Sequence, residues 1–124
     1  MRPRILLVED APDIREVFKM LLEAEGADVL ATGSGLEAAA MAAQQDFDVI
    51  LTDLGLPDMS GEMVIRHALK HARRRPRVVV VTGYDEPFTS RARAAGADVV
   101  LTKPVLWSSL VEELALDQDD PVAA

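Results

Sequence analysis

The chain has 124 residues, 49% of them hydrophobic, which suits one domain with a single core. A net charge of −8 and a pI of about 4.6 argue against an intrinsic nucleic-acid surface, and the absence of cysteine excludes disulfides and thiolate metal sites. The aliphatic runs fall well short of the roughly 20 residues that span a bilayer, and no apolar signal region precedes the first strand, so a cytoplasmic protein without membrane contact is the expectation.

Strand-like runs alternate five times with helical patterns, as in a parallel sheet of βαβ units. Arg4 to Val8 is the first strand. Behind it Ile14, Val17, Phe18, Leu21 and Leu22 recur at helical spacing and give the first helix one apolar face, which Gly26 ends. Asp28 to Thr32 is the second strand and Leu36 to Gln45 an alanine-rich second helix. Asp48 to Thr52 is the third strand. Ser60 then caps a third helix that carries Glu62 in its positive first turn. Arg73, Arg74 and Arg75 close this helix near its negative end, and Pro76 stops it. After the fourth strand, Arg77 to Val81, a short helix follows Pro87 and ends at Gly96. Asp98 to Thr102 is the fifth strand. The last helix runs from Val105 to Leu116, with Leu110, Val111 and Leu114 facing inward. Residues 1–116 are therefore expected to form the domain, and 117–124 a short acidic, disordered tail.

The strands end in polar residues: Glu9-Asp10 after the first, Asp53 after the third, Thr82-Gly83 after the fourth, Lys103-Pro104 after the fifth. In an open parallel sheet these ends gather along one edge, where ligands bind. Carboxylates packed together raise one another's pKa unless a cation neutralises them, and Mg²⁺ suits such a site because it takes one or two carboxylates and shares phosphate oxygens. One carboxylate could then act as nucleophile and become an acyl phosphate. Asp53 is the best candidate, since it ends the central hydrophobic strand and precedes Leu54-Gly55-Leu56-Pro57, a loop whose amides can face a phosphoryl group. Lys103 offers a positive charge and Thr82 a hydroxyl, while the Gly83 amide has no side chain in its way.

The series Leu7-Val8-Glu9-Asp10, Thr52-Asp53 through Pro57-Asp58-Met59-Ser60-Gly61, Val81-Thr82-Gly83 and Leu101-Thr102-Lys103-Pro104 resembles the receiver domain of two-component response regulators, over Arg4 to about Leu116. The resemblance implies a doubly wound, flavodoxin-like five-stranded parallel sheet of order 2-1-3-4-5. It implies that Asp53 is phosphorylated by a sensor histidine kinase or a histidine phosphotransfer protein. By the same resemblance Asp10, Asp53 and the Gly55 carbonyl bind Mg²⁺, and Glu9 acts through water. Thr82, Lys103, Gly83 and Leu54 would contact the phosphoryl group, and the Lys103–Pro104 bond would be cis. In one respect the chain departs from the family: Val100 stands where the fifth strand usually carries an aromatic switch residue. Tyr84, directly after Thr82-Gly83, is then the nearest aromatic able to report the state of Thr82.

Other readings carry less. His67 and His71 stand at metal-binding spacing, but no motif accompanies them and a solvated helix face explains them better. Trp107 fits either the core rim or a partner-facing surface. A haloacid-dehalogenase-like phosphohydrolase would place a second aspartate where Pro12 stands, and a flavin module would need a glycine-rich loop in place of Glu9-Asp10-Ala11-Pro12-Asp13. The expectation is a signalling domain rather than a turnover enzyme, with no direct nucleic-acid target. It would be either free-standing, which Met1 and the short tail favour, or a receiver cut from a hybrid histidine kinase or longer regulator.

Overall fold

The computed structural model describes residues 2–114. Strands β1 (Arg4–Val8), β2 (Asp28–Thr32), β3 (Val49–Thr52), β4 (Arg77–Thr82) and β5 (Val99–Thr102) form one parallel sheet of order β2-β1-β3-β4-β5. They alternate with helices α1 (Pro12–Ala24), α2 (Gly35–Gln44), α3 (Gly61–His71), α4 (Phe88–Ala95) and α5 (Trp107–Leu114). Strands buried on both faces read as continuous aliphatic runs, and period-two alternation splits each run between two layers. Ile5, Leu7, Leu51 and Val79 pack with Leu22 of α1 and Leu110, Val111 and Leu114 of α5. Leu6, Val8 and Ile50 pack on the other face with α2 and α3, and Val78 and Val80 with Ile65 of α3 and Ala92 and Ala95 of α4.

The register fixes where the polar ends fall. Val8 pairs with both Thr32 and Thr52, and Thr82 pairs with Thr102. Glu9, Asp53 and Lys103 therefore leave the sheet at the same strand-end edge, Glu9 and Asp53 from β1 and β3, where the strand order reverses, and Lys103 from the outer strand β5.

Several elements differ from expectation. The apolar stripe of α1 is wider than the face it buries: Leu22 is fully buried and Phe18 half-buried, but Val17 and Met20 are 52% and 61% exposed, and Ile14 and Leu21 are exposed as well. The arginines after α3 do not complement its dipole, because the helix already ends at His71. Instead they tie neighbouring loops together: Arg73 to Asp46 at 3.6 Å, Arg74 to Asp48 at 3.1 Å, and Arg75 to Asp98 at 2.9 Å. Arg77 Nε donates to the Glu113 carbonyl at 2.7 Å. Burial works against the Asp98 carboxylate, yet Arg75 and the Val78 N–H hold its pKa below the usual range. The last helix starts at Trp107, whose half-buried ring lies 6.1 Å from that of Phe18 and so forms the core rim. Its expected end at Leu116 and the tail 117–124 lie outside the described residues. Ser60 caps α3 as expected, accepting from the Met63 N–H at 3.2 Å. Gly26 and Gly96 both take positive φ, 99° and 125°, where a side chain would strain the backbone.

Candidate functional site

Asp53 stands one residue beyond β3, with its side chain 13% exposed. Its Oδ2 accepts from Lys103 Nζ at 2.9 Å. Its Oδ1 accepts from the Leu54 N–H at 2.6 Å and the Gly55 N–H at 3.4 Å, so the loop amides face this carboxylate. The Lys103 backbone is pinned beside β4, its N–H donating to the Thr82 carbonyl at 2.8 Å. The Lys103–Pro104 bond is cis. Burial draws the Lys103 pKa down, but the hydrogen bond and charge of Asp53, with Glu9 and Asp10, more than reverse this and raise it.

Glu9 is 5% exposed, whereas Asp10 beside it is open to solvent. The hydrogen bond given to the Glu9 carboxylate comes from the Ala11 N–H at 3.4 Å, which is long. Burial pushes its pKa up; Lys103 opposes the shift, and the charges of Asp53 and Asp10 add to it. Beneath Glu9, Asp53 and Lys103 lies a void of about 10 Å³, no larger than a single water needs. Among the described residues no three acidic or imidazole side chains come together so as to hold a metal ion by themselves.

Thr82 is fully buried, and its Oγ1 accepts from the Tyr84 N–H at 3.0 Å. The Tyr84 ring, 46% exposed, packs 5.2 Å from that of Phe88. Its hydroxyl lies over Gly55, where an added Cβ would come within 2.6 Å of the phenol oxygen. Together Tyr84, Phe88, Leu56, Met59 and Arg91 border a depression of about 270 Å³ beside the site. Val100 pairs with Val80 and packs, half-buried, against the α3–α4 layer. Gly83 is exposed, and a Cβ there would meet nothing within 4 Å.

The family profile of the response regulator receiver domain matches residues 5–115. The chain belongs to this family. It is 37% identical over 102 residues to the cell cycle transcriptional regulator CtrA of Caulobacter vibrioides, a match covering 82% of this chain and 44% of that protein. To the response regulator protein PilR of Pseudomonas aeruginosa it is 36% identical over 115 residues, covering 92% of this chain and 26% of PilR. The chain thus spans less than half the length of these curated relatives. Its fold matches the CheY-like receiver domain protein from Methanospirillum hungatei JF-1 with a TM-score of 0.87 and 33% identity, covering 95% of this chain and 96% of that one. It also matches the receiver domain of sensor histidine kinase PA1611 of P. aeruginosa PAO1, described with a magnesium ion coordinated in the active site cleft, with a TM-score of 0.82 and 28% identity, covering 92% and 95% of the two chains.

Two side chains to which the sequence assigns no role frame this receiver site. Arg15 Nη1 donates to the Glu9 carbonyl at 2.9 Å, and the Asp58 carboxylate binds the start of α2. Their partners lie 6 and 22–24 residues away, so no local pattern marks them.

Glu9 yields an expected result of its own. An acid whose pKa is raised by folding favours the native state at pH values below its ordinary 4.5, and that advantage is lost as pH rises through the shifted value. Burial makes the charged form of this carboxylate a net cost to the fold. In metal-chelated protein, Glu9→Gln should raise Tm at pH 7 and change it little at pH 4. An equal or lower Tm at pH 7 would show that Glu9 carries no such strain.

Proposed function

We propose that this receiver domain takes a phosphoryl group on Asp53 from a sensor histidine kinase or a histidine phosphotransfer protein, and that the modification switches binding to a partner. The observation that carries this reading is the Asp53 carboxylate held between Lys103 Nζ at 2.9 Å and the amides of its own loop. A carboxylate oxygen of Asp53 would form the new O–P bond while the electron pair of the P–N bond leaves with the donor imidazole. Such a transfer depends on positioning and charge more than on acid–base work. Lys103 is placed to follow the charge onto the phosphoryl oxygens. Thr82 can turn its hydroxyl to the same group, joined by the Leu54 and Gly83 amides.

The donor set fits Mg²⁺. Glu9, Asp10 and Asp53 against Lys103 leave an excess of two negative charges, which one divalent cation balances, and the oxygens are hard. Asp10, Asp53 and the Gly55 carbonyl would hold the ion, with Glu9 acting through water; that no three such side chains hold an ion by themselves is no objection, since Mg²⁺ keeps several waters. The ion would supply charge neutralisation for an incoming phosphoryl group. The magnesium described in the PA1611 receiver supports this choice.

The exposed residues Ile14, Val17, Met20 and Leu21 lie on the helix that begins two positions after Asp10, and they offer the phosphodonor an apolar surface at the rim of the site. No nucleic-acid contact is assigned to the domain: the chain carries −8, and Arg73, Arg74, Arg75 and Arg77 are engaged within the fold. The reading is of a signalling domain rather than a turnover enzyme. No helix among the described residues is long and apolar enough to cross a membrane, and a cytoplasmic setting suits a histidine kinase partner.

The test is labelling by a small phosphodonor or a cognate kinase, with and without chelator. Label mapped to Asp53 and lost on chelation is expected; label indifferent to chelation overturns the metal assignment.

For the switch, Tyr84 replaces the missing ring of strand five. Turning the Thr82 hydroxyl toward a phosphoryl group would release the Tyr84 N–H that it now accepts, freeing the β4–α4 loop. On adding beryllofluoride, a phosphoryl mimic, NMR shifts should move most at Tyr84 and residues 86–95. If these stay still while signals elsewhere move, the switch lies outside this loop.

A further inference from the structure

The loop from Asp53 to Ser60 is anchored at one end by β3 and at the other by the Gly61 N–H, which donates to the Leu54 carbonyl at 2.9 Å. Between them, Asp58 is the only residue from Leu54 to Met59 with a strong hydrogen-bonding side chain. Its Oδ2 accepts from Ser34 Oγ at 2.6 Å and from the Leu36 N–H at 3.2 Å, and its Oδ1 from the Gly35 N–H at 2.8 Å. These amides open α2 and have no intrahelical acceptor of their own. The contact is also fitted sterically, since a Cβ on Gly35 would lie 2.9 Å from Met59 Cβ and 3.0 Å from Val64 Cγ2. From Ser34 the chain of bonds continues to the far side of the site. The Ser34 N–H donates to Thr32 Oγ1 at 3.1 Å, and the Glu9 N–H donates to the Thr32 carbonyl at 3.0 Å.

We infer that Asp58 is a positioning residue for phosphoryl acceptance, bracing the β3–α3 loop against α2 so that the Gly55 carbonyl and the Leu54 and Gly55 amides keep their places beside Asp53. This rests on the reading of Asp53 as phosphoacceptor and names the part of the fold that sets its geometry. The three bonds are charge-assisted, and with Ser34 foremost they hold the Asp58 pKa down at about 2, so the brace is ionised at neutral pH. Loss of a hydrogen bond made directly to a metal ligand typically changes affinity 10- to 100-fold, and a brace acting through the loop should fall at the low end of that range.

The experiment compares wild type with Asp58→Ala, Asp58→Asn and Ser34→Ala. Three quantities are read: Mg²⁺ affinity by calorimetry without phosphodonor, amide exchange at Leu54 and Gly55, and initial labelling with acetyl phosphate. Asp58→Ala should weaken Mg²⁺ roughly tenfold, speed exchange at both amides and slow labelling roughly tenfold, with the circular dichroism unchanged. Asp58→Asn keeps an acceptor oxygen and should fall between. A merely structural role would move the melting temperature and leave Mg²⁺ affinity alone. Mg²⁺ affinity and exchange within twofold of wild type in Asp58→Ala overturn the brace; should that variant not fold, the same criterion applies to Asp58→Asn and Ser34→Ala. Absence of label on wild-type Asp53 defeats the parent reading instead, and the brace is then judged on affinity and exchange.

Discussion

Asp53→Asn should abolish phosphoryl labelling, a loss of at least about a hundredfold, while leaving the domain folded. An amide cannot supply the anionic oxygen that becomes the acyl phosphate. The substitution is otherwise mild: the Asn oxygen still accepts from the Leu54 N–H, now bonded at 2.6 Å. What disappears is the ion pair with Lys103, whose side chain is 37% exposed, so its stabilisation is at most about 1 kcal/mol. Loss of the Asp53 charge also removes one of the influences that raise the pKa values of Glu9 and Lys103, so both should move back toward their ordinary range. Mass-spectrometric detection of labelling at the wild-type level in Asp53→Asn would refute the assignment and turn attention to Asp10.

Gly61→Ala should have the largest effect on the fold. A Cβ there would lie 2.1 Å from the Asp53 carbonyl oxygen and 2.7 Å from Leu54 Cα, and both obstacles are backbone, which no rotamer change relieves. The first residue of α3 must touch the loop that carries Asp53, so the loop or the helix has to shift. Overpacking typically costs about 1–3 kcal/mol, and with the obstacles all backbone the upper end or beyond is expected, roughly 10 °C or more in Tm. Phosphorylation should fall with it, because the displaced atoms are those of Asp53 itself. Gly83→Ala is the control for stability: it meets nothing within 4 Å and should melt within a few degrees of wild type. If Gly61→Ala melts alongside this control, the loop is slack enough to absorb a methyl group and the close approach has no structural weight.

The loop residues show where sequence and structure part. Leu56-Pro57-Asp58-Met59-Ser60-Gly61 marks a turn into a helix, and Ser60 caps α3 as its type predicts. Asp58 in the same stretch looks like one more acidic turn residue, because its donors, Ser34, Gly35 and Leu36, lie 22–24 residues earlier. The arginines misled for a related reason. A basic run after a helix fits dipole compensation as well as ion pairing, and only the position of Asp46, Asp48 and Asp98 beside it distinguishes the two. In α1 the apolar spacing was plain, but spacing cannot say how wide a stripe the sheet covers, and Val17 and Met20 fall outside it.

By itself the sequence determined the five strand–helix units, the parallel sheet they imply, and the identity of the groups at its edge, Glu9, Asp10, Asp53, Thr82 and Lys103. These follow from local patterning, because a buried parallel strand must be apolar throughout and releases its polar residues only where it ends. Tertiary structure alone decided how the groups meet: Lys103 on Asp53 across 50 residues, the Tyr84 hydroxyl over Gly55, and Asp58 on α2. Such contacts depend on side-chain direction and on distances between segments remote in the chain. These are set only when the layers pack.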